Sequence, residues 1–149
     1  MDPTIRPARP DEVEAILPMY EWLFEEPGSV PPSWEPGRAG EALAKTIEGP
    51  ESIVFLAELN GEPVGFCSGY LDMHSVRYGQ RCWVEDLAVH PEHRSRGIGG
   101  LLLDAACDWA RERGATHLEL DTAHPRARAR SFYERRDPSW STISYAWDL

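Results

Sequence analysis

Three cysteines, Cys67, Cys82 and Cys107, cannot pair completely, and none stands in a Cys-x-x-Cys spacing. A disulfide scaffold is therefore excluded, and a reducing compartment, the cytoplasm, is expected. No apolar run approaches the ~18 residues of a membrane-crossing helix. The opening Met1-Asp2-Pro3-Thr4 lacks the basic and apolar stretches of a secretory leader. The five histidines, at 74, 90, 93, 117 and 124, form no His-x-x-x-His spacing and no cluster with cysteine, so no metal is expected. Basic residues are also too few. Fifteen Lys and Arg stand against 25 Asp and Glu, a net charge of −10, which argues against binding a nucleic-acid backbone.

What remains is the composition of one ordinary globular domain of 149 residues, 42% hydrophobic and 27% charged. A chain this long buries enough surface to fold without a staple. The charge is uneven. Residues 1–62 hold thirteen acids and four bases, whereas residues 63–149 hold twelve acids and eleven bases. An acidic N-terminal half is either a solvated surface or the flank of a site for a cation.

Hydrophobic periodicity and turn residues predict the elements. Thr4–Pro7 reads as a strand, and Asp11 as the cap of a helix carrying Val13, Ile16, Leu17 and Tyr20, bent at Pro18. Residues 27–37, with four Pro and two Gly, read as a loop, and Ala39–Ile47 as a second helix. Ser52–Leu59 and Pro63–Leu71 form a hairpin about Asn60-Gly61. Arg81–Val89 is a third strand, followed by a long helix from Ile98 that ends at Gly114. A strand over His117–Thr122, a helix over residues 126–136 and a strand over Thr142–Asp148 complete the pattern. The order β-α-α-β-β-β-α-β-α-β defines a mixed α/β single domain over residues 1–149, a hairpin-built sheet running into a βαβ crossover.

The most informative segment runs from Trp83 to Gly100, where a strand, a polar loop and a glycine-opened helix follow one another. Gly97, Gly99 and Gly100 let an anion approach the unpaired N–H groups of a helix start, and Arg94 and Arg96 add charge. Such a turn suits a pyrophosphate. Neither the Gly-x-Gly-x-x-Gly fingerprint nor a Gly-Lys-Ser/Thr loop is present.

Arg94-Ser95-Arg96-Gly97-Ile98-Gly99 resembles the Arg/Gln-x-x-Gly-x-Gly/Ala signature of the GNAT superfamily of acetyl-CoA-dependent N-acetyltransferases. The resemblance extends over the chain in element order and is most specific in Val84–Leu102 and in Ser131–Arg136. Glu85-Asp86 and the Phe132-Tyr133-Glu134-Arg135-Arg136 run look most like the spermidine/spermine branch. The resemblance implies direct transfer of acetyl from acetyl-CoA to an amine, without an acyl-enzyme, and a homodimer. It implies that Arg94, Arg96, Gly97, Ile98, Gly99 and Gly100 hold the pyrophosphate, that the Leu87 N–H meets the acetyl carbonyl, and that Val89 meets the pantetheine arm. Two positions depart from its pattern: Arg126 stands where Asn is common, and Asp137-Pro138 where Gly is usual.

The chemistry sets the remaining roles. An acceptor amine with a pKa near ~10 is protonated at neutral pH and must lose that proton to attack. Glu85 is the first candidate base or ammonium ligand, and simple alternation places it with Trp83 and Leu87, opposite Asp86. Asp86 is the second candidate, and a bulge of the kind the family carries in this strand turns either side chain inward. Tyr133 is the candidate acid toward the departing thiolate. Trp22, Phe24, Glu25, Glu26, Trp34, Glu35 and Trp83 are candidates for the acceptor groove. The expected activity is acetylation of a small cationic amine, namely a polyamine, an aminoglycoside or an amino sugar. Acetylation of a protein N-terminus or lysine, and a non-catalytic acyl-CoA sensor, are the alternatives.

Overall fold

The computed structural model describes residues 2–149. Strand β1 (Thr4–Pro7) leads into a broken helical run: a 3-10 turn at Pro10–Glu12, α1 (Val13–Ile16), a second 3-10 turn at Leu17–Tyr20, and α2 (Glu21–Phe24). Pro18 lies at the start of the second 3-10 turn, where its missing N–H interrupts the α-helical ladder. Asp11 does not cap this run. Arg9 takes the cap position, and its N–H donates to the Glu12 carboxylate at 2.7 Å. Glu12 also receives Arg6 at 2.7 Å, which pins the run to β1. This pairing holds the Glu12 carboxyl down at about 2.

Helix α3 (Pro36–Glu48) follows, then β2 (Ser52–Leu59), β3 (Glu62–Ser75) and β4 (Gly79–Val89). Asn60 and Gly61, at φ 54° and 79°, make the two-residue turn expected between β2 and β3. A 3-10 turn (Pro91–His93) precedes α4 (Ile98–Glu112), and β5 (His117–Glu119) and α5 (Ala127–Glu134) complete the elements. The sheet order is β1-β2-β3-β4-β5, antiparallel except for the parallel pair β4–β5.

Helices cover both faces. On one, α4 packs Ile98, Leu102, Leu103 and Ala106 against Ala57, Val64, Cys67 and Val84. On the other, Ile16, Met19 and Leu43 pack against Val54, Leu56, Phe66 and Ala88. Successive strand residues therefore serve opposite cores, as period-two alternation requires. The predicted last strand over Thr142–Asp148 does not form. Its alternating Ile143, Tyr145 and Trp147 stay 69%, 76% and 80% exposed, because β5 is only three residues long and offers little edge to join.

Candidate active site

Two irregularities build the site. The first is a bulge in β4: Ser68 pairs with Asp86 but Gly69 pairs with Val84, so Glu85 is an extra residue. Before it, Cys82 and Val84 are buried on the α4 face; after it, Leu87 and Val89 pack on that face and Ala88 joins the opposite core. Simple alternation separates Glu85 from Asp86 and groups Glu85 with Leu87. The bulge reverses this, and both carboxylates line one cavity while Leu87 faces α4. The second irregularity is the early end of β5. It pairs with β4 only at Arg81, Cys82 and Trp83, so among the described residues no strand pairs with residues 84–89 on that side. The His90 N–H turns to Val64 of β3, at 2.8 Å. Alternation then directs the N–H groups of Leu87 and Val89 into the gap.

The cavity holds about 300 Å³ between the sheet and the layer formed by the broken helical run and α3. Its aromatic wall is Tyr20, Trp34 and Tyr70, its polar wall Ser68, Glu85 and Asp86, and Arg38 stands among the α3 residues. Tyr20 donates its hydroxyl to Asp86 Oδ2 at 2.8 Å, and the Asp86 N–H donates to Ser68 Oγ at 3.2 Å. Burial raises the Asp86 carboxyl to about 6, against the opposing pull of the Tyr20 hydrogen bond and the Arg126 charge. Glu85 is exposed, and one of its oxygens accepts both Trp83 Nε1 at 2.8 Å and Tyr70 Oη at 3.1 Å.

Tyr133 lies on the other side of the sheet, packed against the α4 core. Burial holds its phenol up at about 12, so it keeps its proton at neutral pH. The start of α5 is tied to the end of α2 by Arg126, whose guanidinium donates to the Leu23 carbonyl at 2.8 Å. The Arg126 charge acts on both Asp86 and Tyr133.

At the start of α4, Ser95 and Gly97 are left-handed, at φ 63° and 84°. A side chain at Gly97 would point into open space, but its backbone conformation is one that residues with a Cβ rarely adopt. No side chain caps α4, and its first internal bond runs from the Leu101 N–H to the Gly97 carbonyl. The preceding N–H groups of Ile98, Gly99 and Gly100 have no partner within the helix and are the ones an anion could reach. Phe132 packs over Gly99, and the Arg136 guanidinium lies above Gly100. This open, uncapped turn and the gap beside β4 are where the residues of this chain could hold acetyl-CoA: the first N–H groups of α4 would take its pyrophosphate, and Leu87 and Val89 would flank its pantetheine arm.

The other candidates are scattered. Trp34 lines the cavity, stacked on Tyr20 at 5.7 Å, and Trp83 reaches it only through its hydrogen bond to Glu85. Trp22 instead packs near Phe66 and His90, because α2 turns that face onto the sheet. Phe24 sits edge-on to Trp34, behind the cavity wall. Glu25 and Glu26 are exposed beyond α2 and do not line the cavity. Glu35 caps α3, accepting the N–H groups of Gly37 and Arg38 at 2.9 and 2.7 Å. The Arg94 guanidinium bonds the carbonyls of Val89 and Trp22, so its side chain is engaged within the chain. Arg96 is exposed on the loop. Asp137 stands at φ 52°, a left-handed position that explains why Gly is usual there. Tyr20, Ser68 and Tyr70 were not foreseen: Tyr20 reads as one more apolar-face residue, and the register of β3 against β4 depends on the bulge.

Among the described residues, no group of three His, Cys, Asp or Glu is placed to hold a metal, and no helix is long and apolar enough to cross a membrane. The pairing of β5 with β4 ends at Trp83, and the uncapped, glycine-opened α4 follows β4. Residues 14–137 match the sequence model of the acetyltransferase (GNAT) family, and the chain belongs to that family. It is an acetyl-CoA-dependent N-acetyltransferase. An uncharacterized N-acetyltransferase of Bacillus subtilis (strain 168), YhfO, is 36% identical over 135 residues, covering 88% of this chain and 86% of that protein. A streptothricin acetyltransferase of Streptomyces lavendulae is 41% identical over 71 residues, covering 48% of this chain and 38% of that protein. The structure of aminoglycoside N-acetyltransferase AAC(6')-Iy in complex with CoA superposes with a TM-score of 0.84 at 15% identity, covering 99% of this chain and 95% of that one.

Proposed function

We propose that this enzyme acetylates a primary amine of a small cationic acceptor, of the polyamine, aminoglycoside or amino-sugar class, with Asp86 as its base. The observation that carries this reading is the bulge at Glu85, which turns two consecutive carboxylates into one aromatic-walled cavity. Tyr20, Trp34 and Tyr70 offer π faces to an ammonium group, and Glu85 offers it a charge. Asp86 then takes the proton that keeps the amine from attacking, since a carboxyl near 6 is ionised at neutral pH yet basic enough to accept it.

Acetyl-CoA supplies an activated thioester. Around it the chain's own groups act from two directions. The Leu87 N–H faces the gap and stabilises negative charge developing on a carbonyl oxygen there, and the Val89 N–H is left for the pantetheine arm. Tyr133, protonated and on the opposite face of the sheet from Asp86, delivers a proton to the departing sulfur. Base and acid thus stand on opposite faces of the sheet.

The test is thiol release from acetyl-CoA with spermidine, aminoglycosides, amino sugars and peptides in parallel. Turnover confined to small cationic amines is expected. Turnover confined to peptides would overturn the acceptor reading, and binding of acetyl-CoA without turnover across the panel would favour a sensor.

A further inference from the structure

We infer that Tyr20 is a positioning residue for the reaction, its hydroxyl orienting the Asp86 carboxylate and tuning when that carboxylate can accept a proton. The inference rests on the reading of Asp86 as the base. No family signature points to Tyr20; what singles it out is its place in this structure. Its hydroxyl donates to Asp86 Oδ2 at 2.8 Å, across 66 residues of sequence. The ring is fixed by Phe66 at 4.9 Å, Trp34 at 5.7 Å and Phe24 at 6.3 Å, so the donor is held rather than recruited. The 3-10 turn that carries Tyr20 begins beside Pro18, and Met19 anchors it in the core.

The groups acting on Asp86 come from four elements: Tyr20 from this turn, Glu85 from its own strand, Ser68 from β3 and Arg126 at the start of α5. Burial and Glu85 favour the protonated carboxyl, whereas Tyr20 and Arg126 favour the carboxylate. A phenol donor also fixes Oδ2, leaving Oδ1 as the oxygen that meets the acceptor. The hydroxyl therefore opposes the protonation that burial promotes.

The experiment is the pH profile of kcat/KM for wild type, Tyr20→Phe and Asp86→Asn, with the same amine. Tyr20→Phe keeps the ring and its stacking and removes only the donor. Its acidic limb should move to higher pH by about one unit, the scale of one hydrogen bond to a charged group. A carbon-13 titration of the Asp86 carboxyl in the enzyme alone should show the same upward shift, independent of turnover. If Asp86→Asn loses the acidic limb while Tyr20→Phe superposes on wild type in both measurements, the role of Tyr20 is wrong and that of Asp86 stands. If Asp86→Asn keeps the acidic limb, Asp86 is not the base and the assignment of Tyr20 falls with it.

Discussion

Replacing Asp86 by Asn removes a charge that the fold holds at a cost, so the variant should gain stability as it loses activity. Burial raises this carboxyl from its ordinary 3.8 to about 6. At 1.36 kcal/mol per unit, keeping it ionised costs the folded state about 3 kcal/mol. Asparagine has nearly the same shape and can still accept the Tyr20 hydroxyl, but its NH2 group needs a partner, which offsets about 1 kcal/mol. A net gain of about 2 kcal/mol is a rise in Tm of about 4–8 °C for a chain of this size. The sign fixes the pH window. A carboxyl raised in the folded state penalises folding fully above about pH 6, less between about 6 and 4, and not at all below. The variant's Tm should therefore be higher at pH 8, and the gain should disappear and turn into a deficit of about 1 kcal/mol as the pH falls toward about 4. Thiol release should meanwhile fall by about 10²–10⁴-fold. Melting curves at several pH values, with kcat measured on the same preparations, check both. Equal stability at pH 8, or a gain that persists at low pH, would refute the ionisation argument, and an unchanged rate would refute the catalytic one.

Other perturbations probe separate parts of the molecule. Tyr133→Phe should lower kcat by about 10²-fold while leaving acetyl-CoA binding nearly unchanged by calorimetry; a matching loss of binding would assign the phenol to the cofactor instead. Gly97→Ala forces a residue with a Cβ into φ 84°, at a cost of about 1–2 kcal/mol, and should weaken acetyl-CoA binding about tenfold or destabilise the chain by that amount. Glu12→Gln breaks the tie to Arg6 and should cost about 1–3 kcal/mol at neutral pH. Because the Glu12 carboxyl is depressed to about 2, the wild-type advantage is full above about pH 4.5 and is lost as the pH falls toward 2, which acid melting curves should show.

The elements that the sequence announces best are those whose signals are local. Asn60-Gly61 specifies its own turn, and the apolar face of α4 from Ile98 to Ala110 and the glycines before it need no distant partner to be recognised. Site features that depend on partners were hidden. Nothing in Val84-Glu85-Asp86-Leu87 marks which residue is extra; that depends on Ser68 and Gly69 across the ladder and on the helices that fill each face. Trp22 and Trp34 look equivalent in sequence, yet α2 turns one onto the sheet and the loop before α3 brings the other to the cavity. The tail illustrates the converse. Thr142–Asp148 has a strand's alternation, but alternation without a neighbouring edge makes no sheet.

The extra residue in β4 works like a frameshift in a code of two letters. Upstream of Glu85 the even positions mean one core and downstream the odd positions do, so the same strand is read in two frames. The changeover falls on residues 85 and 86, which belong to neither core and only to the cavity. These two positions can therefore exchange one chemistry for another while Cys82, Val84, Leu87 and Ala88 keep their places. A scaffold of this kind can vary what its cavity presents without having to refold around the change.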